Sequence, residues 1–303
     1  MTFLKKSFIL LLENIFQPKE ELFIYMNSKI IDGKAVSASI KEEIKEKINK
    51  SNKSNHPSLH IYQVGDNPAS NIYIRNKMRA CEEVGIEAIL TKLDENTTEE
   101  ELLKQIKSNT LSAVFVQLPL PPHINEEKIT SAISPSCDVD GFTANNVGTL
   151  MFKHPTENAL MPCTATGIMD LLAAYNIDLV GKHCVIVNRS AIVGKPLSMI
   201  LLNKDATVTI CHSKTANLKK ICQQADILIT AIGKPKFFTK EYIKPKAVVI
   251  DVGMNRDENN KLCGDVDFDD VIETVSLITP VPGGVGPMTV AELLKNVIQV
   301  WES

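Results

Sequence analysis

Short apolar runs alternate with amphipathic stretches through most of this sequence, and that alternation admits few architectures. Residues 59–64, 86–93 and 112–118 are rich in aliphatic and β-branched side chains and read as strands. Between them, apolar positions recur three and four apart, the period of a helix with one buried face. Val36, Ile40, Ile44 and Ile48 mark such a face over residues 34–50, and residues 70–84 read as another helix stopped by Gly85. Thr98, with Glu101 three residues on, is a capping box for a helix to Lys107. Strands alternating with helices predict parallel βαβ units, hence an α/β fold.

The alternation then starts again. A segment through Asn145, Asn146 and Gly148 marks an expected domain boundary, followed by a helix over residues 166–175. Strands are predicted at 183–188, 207–212, 226–232, 247–252 and 276–279, with a helix over 196–203 after the first of them. This is the pattern of a dinucleotide-binding, Rossmann-type domain. A loop over 280–287 leads to a final helix over 288–300.

Composition excludes some partners. The formal net charge is -3, with lysines dispersed and few aromatics, so neither a basic field nor a stacking platform for nucleic acid is present. The seven cysteines are scattered without a CxxC pair, as expected of reduced thiols in a cytoplasmic protein. Cys211 and His212 adjoin, but nothing nearby completes a metal set, so no structural metal is expected. Lys5 and Lys6 precede the apolar run 8–12, which ends at Glu13 without a small-residue cleavage site; neither a signal peptide nor a membrane span is expected. Met26 stands just before Ile30-Ile31-Asp32-Gly33-Lys34, so residues 1–25 read as an extension or a mis-called start.

The segment Asn188-Arg189-Ser190-Ala191-Ile192-Val193-Gly194-Lys195-Pro196 joins a predicted strand to a helix. It lacks the GxGxxG pattern, but its context directs backbone N–H groups toward a phosphate. Asn188 tolerates positive φ and suits a tight turn there, while Gly194 permits close approach to strand or ligand. As a bare pattern the loop reads equally well as a polar surface turn. The next strand decides the cofactor. It is followed by His212-Ser213-Lys214-Thr215, with no carboxylate for a ribose 2′-hydroxyl. Arg189, Ser190, Ser213 and Lys214 offer charge and hydroxyls for a 2′-phosphate, which favours NADP over NAD.

Ser70, Tyr73 and Lys77 share one helix face, with Ile74, Met78 and Cys81 as the neighbouring core stripe. Alone, a Tyr–Lys pair at this spacing is an ordinary surface pair. Short-chain dehydrogenases use the same spacing, but there the nucleotide loop comes first, whereas here it follows. Gln117 ends a strand, where open α/β sheets bind ligands. Asp140 precedes Gly141 in a loop, where it can accept hydrogen bonds from an aminopyrimidine edge; alone, it reads as an ordinary Asp-Gly turn.

Taken together, these segments resemble one family, the bifunctional methylenetetrahydrofolate dehydrogenase/cyclohydrolases of the FolD type. The resemblance is carried by Ser70-x-x-Tyr73-x-x-x-Lys77, Val116 to Pro121 (VQLPLP), Asp138 to Phe142 (DVDGF), Pro162-Cys163-Thr164-x-x-Gly167, Arg189-Ser190-x-Ile192-Val193-Gly194-Lys195-Pro196 and Thr279 to Thr289 (TPVPGGVGPMT). It implies two domains across a cleft: residues 26–147 with 287–303, where the final helix returns, and an NADP domain of 148–286. It also implies a homodimer with tetrahydrofolate derivatives as substrates. Tyr73 would stack on the folate, Lys77 would be the essential catalytic group, Gln117 would position it and Asp140 would hold the pterin. Pro282 and Gly283 would line the meeting point of folate and nicotinamide. Asn188, Arg189, Ser190, Gly194, Ser213 and the backbone near Met254 would contact NADP. The chain departs from the family pattern at Asn188, Ala191 and Met254, where Gly, Asn and Ile are usual. A dehydrogenase of small hydroxy or amino acids would suit the second domain, but leaves Tyr73, Lys77, Gln117, Asp140 and the proline–glycine loop unexplained. A retired, non-catalytic fold should have lost Lys77 or Asp140. A monofunctional dehydrogenase keeps the first step only, and the intact Lys77 and Gln117 favour both steps.

Overall fold

A computed structural model describes residues 29–109, 112–153 and 158–303; the expected extension over 1–25 lies outside them. The first described residues run beside the last strand of the second sheet, with Ile31 N–H donating to the Ile278 carbonyl at 2.8 Å. Asp32 then caps helix α1 (Gly33–Lys50), accepting the N–H groups of Lys34 and Ala35. Strand β1 (Ser58–Val64) leads to helix α2 (Pro68–Val84), capped by Asn67, opened by a proline that needs no N–H there, and closed by Gly85 at φ +88°. Strand β2 (Glu87–Leu93), helix α3 (Glu99–Ser108, with the capping box formed) and strand β3 (Ala113–Val116) follow. These strands make a parallel sheet in the order β2-β1-β3.

Helices α4 (Glu126–Ser131) and α5 (Ala144–Thr149) come next. The boundary expected around Asn145–Gly148 falls in a built helix. Asn146 is buried within it and donates to the Pro135 carbonyl and the Asp138 carboxylate, so this asparagine serves packing. Helix α6 (Cys163–Ala174) precedes the second series: β4 (His183–Val187), α7 (Gly194–Asn203), β5 (Thr207–Cys211), α8 (Leu218–Cys222), β6 (Ile227–Thr230), β7 (Val248–Asp251), β8 (Asn255–Arg256), β9 (Leu262–Cys263), α9 (Phe268–Val271), β10 (Leu277–Ile278) and α10 (Val285–Glu302). Strands β10-β7-β6-β4-β5 form one parallel sheet, and β8 and β9 form a small antiparallel hairpin. The final helix starts at Val285, earlier than expected, so the loop keeps only residues 280–284. Pro287 falls in the helix's first turn, where its missing N–H costs nothing.

Both sheets are covered on both faces, as parallel sheets require. In β4, Cys184 and Ile186 face α6, α7 and the start of α10, while Val185 and Val187 face Phe238, Ile243 and Val271. Leu59, Ile61 and Phe115 of the first sheet face Ile74 and Cys81 of α2 and Leu293, Leu294 and Val297 of α10. Its other face packs on Leu102, Ile106 and Ile129. Helices α1, α6 and α10 pack on one another and put residues into both cores: Val36 and Ile44, Ile168 and Cys163, Met288 and Leu294. They are the common spine of the molecule. No helix among the described residues is long and apolar enough to cross a membrane.

Candidate active site

In each sheet the chain order reverses beside the first strand, β1 in one and β4 in the other, and ligands of open α/β sheets bind at such crevices beyond the strand ends. In the first sheet this edge carries Gln117, whose N–H continues the ladder to the Tyr62 carbonyl at 2.9 Å. Its side-chain amide donates to the Leu118 carbonyl at 2.5 Å, which turns Oε1 toward Lys77 Nζ at 3.4 Å. The ammonium also sits 3.9 Å from the centroid of Phe115, two residues earlier and on the same face of the strand. Lys77 is half-buried, and desolvation pulls its pKa below the ordinary lysine value, against the opposing charge of Asp140. Phe115 was not expected as a site residue. Its period-two relation to Gln117 was the signal for it.

The loop between α4 and α5 separates its two aspartates. Asp138 is buried and fully engaged, accepting N–H groups from Gly141 at 3.1 Å and Thr143 at 2.7 Å and the Asn146 amide at 3.2 Å. Gly141 takes φ +71°, and a Cβ there would stand 2.4 Å from the Met161 carbonyl carbon, so the turn needs glycine. Asp140 remains beside Lys77. Desolvation raises its carboxyl to about 7, Lys77 opposing and Asp138 adding to the rise. Burial thus drives the lysine down and the aspartate up, bringing two proton-exchanging groups toward the same range. Cys163 closes the floor of this region, donating to the Val139 carbonyl at 3.2 Å.

Tyr73 is half-exposed on the same helix face as Lys77, and its hydroxyl reaches Met254 Sδ, beyond β7 of the second sheet, at 3.7 Å. The Met254 methyl also lies against Gly286 at the start of α10. The two sheet edges therefore meet across one cleft at Tyr73 and Met254. On the loop ahead of α10, Pro282 follows a cis peptide and is exposed, while Gly283 is buried at φ +113° with its carbonyl accepting the Lys34 N–H at 3.1 Å. A second cis peptide precedes Pro119.

The nucleotide loop differs from expectation at Asn188, which does not take positive φ. Its side chain organises the loop instead: Oδ1 accepts the N–H of Ser190 at 2.8 Å and of Gly194 at 3.0 Å, and the Ser190 hydroxyl at 2.8 Å. Nδ2 donates to the Ala231 carbonyl beyond β6 at 2.5 Å. A side chain bonded this way stabilises the loop in ordinary backbone space, so no glycine-like φ is needed. Gly194 permits the close approach expected of it, since a Cβ would fall 2.2 Å from the Asn188 carbonyl oxygen. The Ser190 hydroxyl is occupied within the loop, also accepting the Val193 N–H at 3.1 Å. Arg189 and Ser213 are exposed, beyond the ends of the paired strands β4 and β5. No carboxylate stands among residues 212–215, so this donor set fits a cofactor carrying a 2′-phosphate.

Two buried carboxylates behind the second edge were not singled out from the sequence. Asp251 ends β7 and Asp265 follows the β8–β9 hairpin; they are 3% and 0% exposed. Burial lifts the Asp251 carboxyl to about 6, the N–H groups of Val266, Asp265 and Gly253 opposing and the Asp265 charge adding. Only the fold brings these residues together, across the hairpin.

Two family models match the sequence: the catalytic domain of tetrahydrofolate dehydrogenase/cyclohydrolase over residues 31–140, and its NAD(P)-binding domain over residues 162–303. The bifunctional protein FolD of Agathobacter rectalis is 51% identical over 277 residues, covering 90% of this chain and 98% of the relative. The crystal structure of the bifunctional FolD dehydrogenase/cyclohydrolase from Campylobacter jejuni superposes with a TM-score of 0.88 at 47% identity, covering 90% of this chain and 98% of that one. The FolD of Trypanosoma brucei, complexed with NADP cofactor and inhibitor, superposes with a TM-score of 0.84 at 36% identity, covering 90% and 97%.

Proposed function

The chain belongs to the tetrahydrofolate dehydrogenase/cyclohydrolase family, and from that premise we propose which of its residues carry each step. The enzyme oxidises 5,10-methylenetetrahydrofolate to 5,10-methenyltetrahydrofolate with NADP and hydrolyses the product to 10-formyltetrahydrofolate. NADP supplies the hydride acceptor. The protein's share of that step is orientation, because the folate nitrogens already favour loss of hydride from the carbon between them. Asp140 holds the aminopyrimidine edge, Tyr73 stacks on the folate, and Pro282 and Gly283 line the junction of the two ligands. Arg189 and Ser213 take the 2′-phosphate, while Asn188, Ser190 and Gly194 shape the loop and the backbone at Met254 faces the cofactor.

Hydrolysis asks more of the side chains. Water adds to the cationic methenyl carbon and loses a proton to neutral Lys77 Nζ. The bond from that carbon to N5 then breaks, and N5 takes up a proton as the formyl C=O forms. Gln117 Oε1 aims the amine, and Phe115 walls it from water. The observation carrying this reading is the half-buried Lys77 ammonium held between Gln117 and Phe115, with its pKa lowered. A coupled assay tests it, following NADPH formation and methenyl absorbance together from methylenetetrahydrofolate. The methenyl signal should rise and then decay in the native enzyme, and rise without enzymatic decay in Lys77→Met. Undiminished decay in the variant would remove Lys77 from the chemistry.

The same reading includes a cytoplasmic enzyme divided into residues 26–147 with the final helix and an NADP domain between them. It also includes a homodimer. The support for pairing is an edge strand, β2, that leaves Ile89 and Leu90 40% and 38% exposed. Light scattering should give twice the chain mass; a monomer mass at micromolar concentration would refute the pairing.

A further inference from the structure

Met254 and the loop after β6 face the cofactor side of the cleft, yet nothing in their own sequence holds them still. What holds them lies beneath. The Asp265 carboxylate gathers three consecutive N–H groups from the loop after β6: Ile232 at 2.5 Å and Gly233 at 3.3 Å on Oδ2, and Lys234 at 2.8 Å on Oδ1. Oδ1 also accepts the Asn255 side-chain amide at 2.9 Å. Asp251 holds the other side of Met254 by accepting the Gly253 N–H at 2.9 Å, and it fixes Asp265 itself through that residue's N–H at 3.0 Å. Met254 is thus pinned at both neighbours, one by each carboxylate.

The contact is close enough to dictate sequence. A Cβ on Gly253 would lie 2.5 Å from the Asp265 carboxyl carbon, and one on Gly264 would lie 1.8 Å from Asp251 Oδ2. Burying two carboxylates side by side is costly unless hydrogen bonds compensate. Backbone N–H groups compensate here: those of Ile232, Gly233, Lys234 and Gly253 belong to the loops that follow β6 and β7 at the ligand edge of the sheet, and those of Asp265 and Val266 to the segment after β9. We propose that Asp251 and Asp265 are positioning residues for the NADP site: they form a carboxylate bracket that fixes loops 232–234 and 253–255 against the bound nicotinamide half of the cofactor. The inference rests on the second sheet being the NADP lobe, and reduction of NADP by the native enzyme tests that separately.

The two activities supply an internal control, because hydrolysis of methenyltetrahydrofolate needs Lys77 and not the cofactor. Asp265→Asn keeps the volume but turns an amide N–H toward at least one backbone N–H, so two donors face each other. Asn255→Ala removes a single donor from the rim and keeps the buried pair, guarding against a variant that fails to fold. Steady-state kinetics should show the NADP KM rising roughly ten- to a hundredfold in Asp265→Asn and about threefold in Asn255→Ala, magnitudes expected for charge-assisted hydrogen bonds. Methenyl hydrolysis should change less than the NADP KM does in Asn255→Ala, because Lys77 and Gln117 belong to the other lobe. An unchanged NADP KM in both variants overturns the proposal. So does a parallel fall of both activities in both, which would mark the pair as scaffold only.

Discussion

The two sheet edges that face the cleft treat charge in opposite ways. Beyond the first sheet, Lys77 and Asp140 are desolvated and left with few partners: one long hydrogen bond and a ring for the lysine, and the influence of neighbouring charges on the aspartate. Beyond the second, Asp251 and Asp265 are more deeply buried yet surrounded by N–H donors. The lesson is that burial alone does not mark a reactive group. A buried charge that keeps unused valence is poised for a substrate, whereas one whose valence is spent on the backbone holds shape.

Three perturbations bear on this contrast, taken from the largest effect. Lys77→Met should lower methenyl hydrolysis by about 10²–10⁴-fold, the range for a lost general acid–base group. In the native enzyme the same step should accelerate with rising pH, as Nζ loses its proton, and level off below the ordinary lysine pKa of about 10.4. A pH–rate profile still climbing at that value would place the two edges on the same footing. Arg189→Ala should raise the NADP KM by roughly tenfold or more while leaving the NAD KM nearly unchanged, since only NADP carries the phosphate. Equal effects on both cofactors would sink the assignment of the exposed guanidinium.

The smallest effect is on stability and has an unusual sign. The fold raises Asp140 from 3.8 to about 7, so the native state disfavours its ionised form. That penalty is absent near pH 4, grows between the two values and is complete above pH 7. Asp140→Asn should therefore melt higher than the native protein at pH 8, by roughly 2–4 °C for each kcal/mol of that penalty, and equally at pH 4. A lower melting temperature at pH 8 would class Asp140 with the satisfied carboxylates.

Much of this was readable from the chain alone. Periodicity located both βαβ series, Gly85 located the end of α2, and capping chemistry located the start of α3. Tyr73, Lys77 and Gln117 were visible because one helix face and one strand end bring them forward. What stayed hidden depends on contacts between distant segments. Asn188 looked like a turn residue because its bond to Ala231 spans two strands. Asp265 looked like any acidic loop residue because three of its partners, the N–H groups of residues 232–234, lie more than thirty positions upstream. The helix at 144–149 was masked by asparagines that in isolation favour turns. Its Asn146 is instead consumed by Asp138, a residue equally unremarkable in the sequence.

The shared spine has a consequence for how the protein comes into being. The wall of the first core is supplied by Leu293, Leu294, Val297 and Ile298, synthesised long after the strands β1 to β3 that they cover. While the ribosome still holds that stretch in its exit tunnel, the earlier strands are already outside with one apolar face bare. Translation must therefore carry Ile298 clear of the tunnel before this half of the molecule can close, and during that interval chaperones have a hydrophobic surface to guard.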